Sequence, residues 1–297
     1  MAPAAARLPA FVNPGGGRAV AASRALRDDD RFDVHEVAPE QLQERIRRVM
    51  DDGARRVVVA GGDGTMANAA GALVGSTVEL AVIPGGTLNH LARHLGVPTD
   101  LAAARELAVT GAARPTDVGR VNGRVFVNTS SVGAYVGFVR MREQLEPWLG
   151  YWLSSLVASL RILAQLRTIG VTLQVDGVER HVSTPLVFVG VGERELGREW
   201  MLSPQGMRGL HALVVHGRGR ARLLVLAFAA AARGTRGAAE LPDVDGVVVD
   251  RCTVAPRHAG RVALDGELAW LGTPLEYEVL RDALLVVTPA AREAPTG

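Results

Sequence analysis

The hydrophobic rhythm of the chain changes near residue 117. Before that point, short apolar runs alternate with stretches in which apolar residues recur every three or four positions. Ala10–Val12, Phe32–Val37, Val57–Ala60 and Val78–Ile83 read as strands. Val57–Ala60 is continuous enough for a strand buried on both faces. Ser23–Leu26, Gln41–Met50, Met66–Val74, Leu88–Leu95 and Leu101–Thr110 read as helices. In Gln41–Met50, Leu42, Ile46 and Val49 fall on one helical face opposite Arg and Glu. Leu88–Leu95 stops at Gly96 and Pro98. This alternation predicts an α/β N-terminal domain, a parallel sheet with helices on both faces.

Beyond Asp117 strands dominate: Val118–Val121, Val125–Asn128, Val171–Val175, Val178–Val182, Leu186–Val191, Leu210–His216, Gly246–Thr253, Gly260–Leu264 and Leu275–Leu280. Asn122-Gly123 and Asp176-Gly177 are hairpin signals, so this part is predicted to be β-rich and mainly antiparallel, a sandwich or half-barrel. Two helices interrupt it, about Glu143–Leu166 and Ala221–Arg233. The predicted division is 1–116, completed by 283–290 through a returning strand Ala283–Val287, then 117–282, then a tail over 291–297.

Composition narrows the function. With 33 basic and 31 acidic residues among 297, the chain lacks the basic excess of a general nucleic-acid binder. All 33 are Arg, since the chain has no Lys. A Walker-type P-loop, which needs Lys on the β- and γ-phosphates, is excluded. Phosphate must then be held by backbone N–H groups, Arg or a metal ion. Cys252 is the single cysteine, so no intrachain disulfide or multi-cysteine metal site forms. The N-terminus lacks the apolar core of a signal peptide. The longest apolar run, Leu223–Ala232, is far short of the ~20 residues that cross a bilayer. These features lead us to expect a cytoplasmic protein with no transmembrane segment.

Gly61-Gly62-Asp63-Gly64-Thr65 stands between a buried strand and a helix. Without Cβ atoms the backbone can approach phosphate oxygens, and the helix N-terminus adds unpaired N–H groups. Asp63 beside phosphate would bind Mg²⁺ through water, accept a proton or brace the loop. Pro84-Gly85-Gly86-Thr87 is a second glycine turn, and Asn13-Pro14-Gly15-Gly16-Gly17 a third. All three follow strands at the sheet edge where parallel α/β folds bind ligands. Asp265-Gly266-Glu267 reads either as an ordinary turn or as a general base facing a phosphate cradle. Asp117 could cap, hinge or support a site. The helix Glu143–Leu166 is apolar on most of its circumference. It reads as a core helix, as the wall of an acyl-chain cleft, or as a membrane-surface contact through Trp148, Tyr151 and Trp152. The seven His residues show no metal-ligand spacing.

Asn13-Pro14, Gly61–Thr65, Pro84-Gly85-Gly86-Thr87-Leu88-Asn89, the stretch from Asp117-Val118-Gly119 to Asn128, and Asp265-Gly266-Glu267 together resemble the diacylglycerol kinase catalytic-domain family, which includes sphingosine kinases and bacterial lipid kinases. The motifs keep family order over nearly the whole chain. The resemblance implies ATP with Mg²⁺ between an α/β domain and a β-rich acceptor domain. It assigns Asn13, Gly61, Gly62, Asp63, Gly64, Thr65, Gly85, Gly86 and Thr87 to the nucleotide, and Asp265, Asp63 and Glu267 to catalysis, with Asp265 as the base. The chain departs from the family at Ala38, Ala67-Asn68 and His90. Arg208-Gly209 stands where bacterial relatives often carry the Asp-Gly of a structural Mg²⁺ site.

These readings lead us to expect a kinase that transfers the γ-phosphoryl group of ATP to a lipid hydroxyl, working at the membrane surface, with a homodimer left open. Two alternatives stand beside it. One is a kinase of a soluble acceptor such as NAD. The other is a non-catalytic nucleotide-binding or membrane-sensing protein.

Overall fold

The computed structural model describes residues 7–15, 18–87, 89–165, 167–175, 177–191, 208–215, 244–257 and 260–290. The predicted helix Ala221–Arg233, the apolar run Leu223–Ala232 and the tail 291–297 lie outside them. So do Gly16, Gly17 and Asp176 of the predicted turns and Leu88 at the start of a predicted helix. The chain divides into two compact units, one of residues 1–116 and 281–297, the other of residues 117–280.

In the first unit, β1 (Leu8–Val12), α1 (Ala19–Arg27), β2 (Phe32–Glu36), α2 (Pro39–Asp51), β3 (Arg56–Gly61), α3 (Asp63–Leu73), β4 (Glu79–Pro84), α4 (His90–His94) and α5 (Leu101–Thr110) follow one another. The strands pair in the order β2-β1-β3-β4, every pair parallel. Beside β4 lies the C-terminal part of β16 (Leu275–Thr288), with Leu285 opposite Glu79 and Val286 opposite Leu80. Val57, Val58 and Val59 of β3 are fully buried. Each such side chain contributes about 1.5–3 kcal/mol of burial. One arginine fixes the base of the sheet: Arg56 donates to Glu79 at 2.6 Å and to the carbonyls of Ala108, Val109 and Gly111 at 2.8–2.9 Å. Those carbonyls end α5, where a cation also meets the negative end of the helix dipole. A lysine could not reach them all with a single ammonium.

The second unit carries β6 (Arg124–Phe126), β7 (Thr129–Gly133), α6 (Ala134–Ala164), β8 (Ile169–Val175), β9 (Val178–Thr184), β10 (Leu186–Val191), β11 (Leu210–Val215), β12 (Val244–Val249), β13 (Arg251–Pro256), β14 (Gly260–Leu264) and β15 (Glu267–Leu271). β5 (Ala112–Val121) leads into it. One sheet runs β12-β11-β10-β7-β14-β15, antiparallel throughout. Elsewhere β13 pairs antiparallel with β8 and with the N-terminal part of β16, and β8 with β9. The α/β class of the first unit and the antiparallel, β-rich character of the second agree with the sequence reading.

Several elements differ from expectation, each for a local reason. Gly246–Thr253 is two strands, because the chain turns at Asp250 and β12 and β13 join different partners. Leu275–Leu280 and Ala283–Val287 form the single strand β16. β7 is Thr-Ser-Ser-Val-Gly, too polar to read as a strand, yet it lies between β10 and β14. Its buried Ser130 hydroxyl meets the Tyr277 hydroxyl at 2.9 Å. Burial pushes the Tyr277 phenol well above its usual pKa, with the Ser130 contact opposing it. Cys252 is a buried core residue whose thiol burial pushes up to about 12. α6 begins nine residues before the expected Glu143, at Ala134, and breaks at Gly150, where φ is 68°. It is no core helix: Trp148, Trp152, Leu156 and Leu160 are exposed.

Candidate functional site

Parallel pairing brings the first unit's glycine turns together. β3 and β4 run in register to the pair Gly61–Pro84, so both turns leave the sheet side by side at the carboxyl ends of their strands. The Gly85 amide donates to the Gly61 carbonyl at 2.9 Å. The backbones touch: a Cβ on Gly86 would stand 2.6 Å from the Gly62 Cα, closer than side chains tolerate. A Cβ on Gly61 would meet the Thr65 side chain at 2.6 Å. These glycines are demanded by backbone contact.

Side chains brace the cradle from three sides. Asn13, after β1, donates through Nδ2 to Thr65 Oγ1 at 3.0 Å and accepts from the Gly15 amide at 3.0 Å. Asn89 grips the second turn twice: Oδ1 accepts from the Gly86 amide and Nδ2 donates to the Gly86 carbonyl, both at 2.8 Å. Asp63 Oδ1 accepts from the Leu91 amide at 3.1 Å and so ties α3 to α4. Of the roles open to Asp63, loop bracing is the one these contacts display. Thr65 is buried, whereas Thr87 is exposed. The first amides of α3, at Asp63, Gly64 and Thr65, cannot bond within their own helix. Standing beside the glycine turns, these amides are the backbone N–H groups suited to phosphate oxygens. At the departures from the family pattern, Ala38 caps α2 without a side-chain bond, and Asn68 donates to the Pro39 carbonyl at 2.5 Å.

In the second unit, Asp265 and Gly266 form the two-residue turn of the β14–β15 hairpin, with φ of 49° and 88°. The buried Asp265 carboxylate accepts three backbone amides: Val127 on Oδ2 at 2.8 Å, and Asn128 and Thr129 on Oδ1 at 2.8 and 2.9 Å. Its own amide donates to the Thr129 carbonyl at 2.7 Å. Asp265 therefore pins the segment between β6 and β7. Its partners were not visible in sequence, because they lie more than a hundred residues away. Arg142 was not singled out either. It donates to the Gly266 carbonyl at 3.4 Å, lies over the Tyr151 ring at 5.4 Å and stands 3.6 Å from Glu146. Burial raises the pKa of Glu267, with the charge of Glu143 adding to it and Arg142 opposing. Burial likewise raises that of Glu143.

Asp117 acquires a definite role. Arg208 forks onto its carboxylate, Nε to Oδ2 at 3.0 Å and Nη2 to Oδ1 at 2.5 Å. The side chain of Asp117 is 3% exposed and that of Arg208 37%. Arg208→Ala is expected to lower the thermal midpoint, at a cost of about 2–3 kcal/mol, below a fully buried pair because Arg208 reaches solvent. Arg208→Lys, without the fork, should recover less than half. An unchanged midpoint in the Ala variant would show that the pair contributes nothing.

Among the described residues no group of three or more His, Cys, Asp or Glu could hold a metal ion. Among the described residues no helix is long and apolar enough to cross a membrane.

A parallel α/β unit with braced glycine turns at adjacent strand ends has the form in which α/β folds commonly bind phosphate. Residues 7–121 match the family described as the diacylglycerol kinase catalytic domain. The similarity is to that family's catalytic domain over this part of the chain, as its motifs implied. A probable lipid kinase YegS-like protein of Klebsiella pneumoniae (strain 342) is 29% identical over 60% of this chain and 62% of its own length. A diacylglycerol kinase of Bacillus subtilis (strain 168) is 34% identical over 41% of each. The chain thus matches less than two thirds of the length of these curated relatives. The crystal structure of a putative diacylglycerol kinase from Bacillus anthracis str. Sterne shares the fold, with a TM-score of 0.72 at 23% identity, covering 96% of this chain and 98% of that one.

Proposed function

We propose that the protein is an ATP-dependent lipid kinase that transfers the γ-phosphoryl group to a lipid hydroxyl, diacylglycerol or a related lipid. The observation that carries this reading is the close approach of the turns at Gly62 and Gly86, which sets the two strand ends and the first amides of α3 side by side where a phosphate would be met. The nucleotide phosphates lie against Gly61, Gly62, Gly64, Thr65, Gly85, Gly86 and Thr87, with Asn13 and Asp63 holding these turns in shape. Mg²⁺ enters with the nucleotide, as ATP·Mg²⁺, in keeping with its habit of binding largely through substrate phosphates. The second unit supplies the proton acceptor. Asp265 takes the hydroxyl proton as the oxygen attacks the γ-phosphorus and the bond to the bridging oxygen of ADP breaks. Glu267 supports it from the first position of β15. Positioning and charge neutralisation dominate such a transfer. The similarity to proteins named lipid kinase and diacylglycerol kinase supports the choice of acceptor.

The test is incubation of the full chain with γ-labelled ATP and Mg²⁺, with either total lipid extract or NAD as acceptor. Label is expected in a lipid-soluble product. Label in NAD alone would replace the lipid by a soluble acceptor. ATP binding without any labelled product would leave only a nucleotide-binding protein.

A further inference from the structure

The second segment of α6, after Gly150, is turned inside out relative to an ordinary amphipathic helix. It packs inward through small residues, with Ser154 and Ala158 fully buried. Ile162 lies so close to the first segment that a Cβ on Gly137 would meet its Cδ1 at 2.9 Å. The large apolar residues are exposed: Trp152 at 73%, Leu156 at 55% and Leu160 at 56%, with Trp148 at 86% just before the break. At about 100° per residue, Trp152, Leu156 and Leu160 fall on one face. A helix stabilised by its own domain turns such residues to the core. Here the small residues make the fold and the large ones are left for something else.

Charge indicates what that is. Glu143 and Glu146 stand just before Trp148 and face Arg142, and from Pro147 to Val175 the chain carries Arg161 and Arg167 and no acidic residue. Both arginines are exposed. Tryptophan with leucine on one face and flanking arginine is the composition of a helix lying in a bilayer interface, where indole rings sit at headgroup level. Guanidinium groups draw such a helix to anionic lipid.

We propose that the exposed face of α6, formed by Trp148, Trp152, Leu156 and Leu160, is a membrane-docking surface that lies in the interface of a bilayer containing anionic lipid. The proposal deepens the lipid-kinase reading, which gives the protein a reason to meet a bilayer.

The test is co-sedimentation of the full chain with vesicles of equal parts phosphatidylcholine and phosphatidylglycerol, and with vesicles of phosphatidylcholine alone. The native protein is expected to bind the mixed vesicles about tenfold more tightly than the neutral ones, with the preference lost in high salt. The triple variant Trp152→Ser, Leu156→Ser, Leu160→Ser should lose mixed-vesicle binding about tenfold with its thermal midpoint unchanged, since all three residues are exposed. Trp148→Ser, in the other segment, gives a second reading if the triple variant does not fold. Native-like vesicle binding by the variants overturns the proposal, as does failure of the native protein to bind vesicles. A dimer that the substitutions convert to a monomer, with vesicle binding retained, assigns the face to self-association and also overturns it. Phosphorylation of a short-chain acceptor in solution separates the two readings. Vesicle binding through this face with no lipid phosphorylated removes the kinase and keeps the surface. Lipid phosphorylation with substitution-insensitive binding does the reverse.

Discussion

Gly86→Ala is expected to lower ATP affinity by about 100-fold, equivalent to roughly 2.7 kcal/mol. The new methyl would stand 2.6 Å from the Gly62 Cα and 3.1 Å from Asn89 Oδ1. Neither neighbour can yield cheaply. Gly62 is backbone, and the Asn89 oxygen already accepts the Gly86 amide. The turns must part, and the first amides of α3 lose the placement that the proposed phosphate contact requires. Titration calorimetry with ATP reads the loss, and a thermal melt shows whether the first unit stays folded. Gly75→Ala is the contrasting case: a Cβ there meets nothing within 4 Å, although the φ of 76° carries its own strain. It should cost some stability and little affinity. Native-like ATP binding by Gly86→Ala would move the nucleotide site away from these turns.

Asp265→Asn is expected to reduce turnover by about 10²–10⁴-fold, the usual span for loss of a general base. The structure adds a second effect. The carboxylate accepts one amide on Oδ2 and two on Oδ1. An asparagine keeps one oxygen and turns an NH₂ toward the remaining amide or amides. Each buried N–H that loses its acceptor costs about 1–3 kcal/mol. The variant should therefore melt earlier as well as turn over slowly, while still binding ATP. Measuring turnover well below its melting midpoint separates the effects. Full turnover there, with the midpoint lowered, would make Asp265 an anchor of the 127–129 segment and remove it as the base.

Much of the first unit was legible because its signals are local. The valines of β3 announce a strand buried on both faces, and α5 has the bounds that its spacing predicts, Leu101–Thr110. The glycine turns were legible as turns at the strand ends, because glycine clusters directly after buried strands mark them. What sequence did not carry was partnership at long range. Asn13 reaches Thr65 across 52 positions, and Arg208 reaches Asp117 across 91. No periodicity encodes either. β7 was missed because its serines look like turn residues, and only the neighbouring strands and Tyr277 make a buried strand of them. In α6 the apolar circumference suggested a core helix, since composition alone does not say which residues face inward. Ser154 and Ala158 do so, and the leucines do not.

β16 gives the protein a particular order of assembly during synthesis. The sheet of the first unit acquires its strand beside β4 only from Leu285 and Val286. A ribosome that has released the first 116 residues has released every helix of that unit but not this strand. The edge of β4, with Leu80, Ala81 and Ile83 fully buried in the finished protein, stays open while the whole second unit is made. An open apolar edge invites pairing with other chains. The second unit must therefore be translated, and its chain passed through, before the first can close.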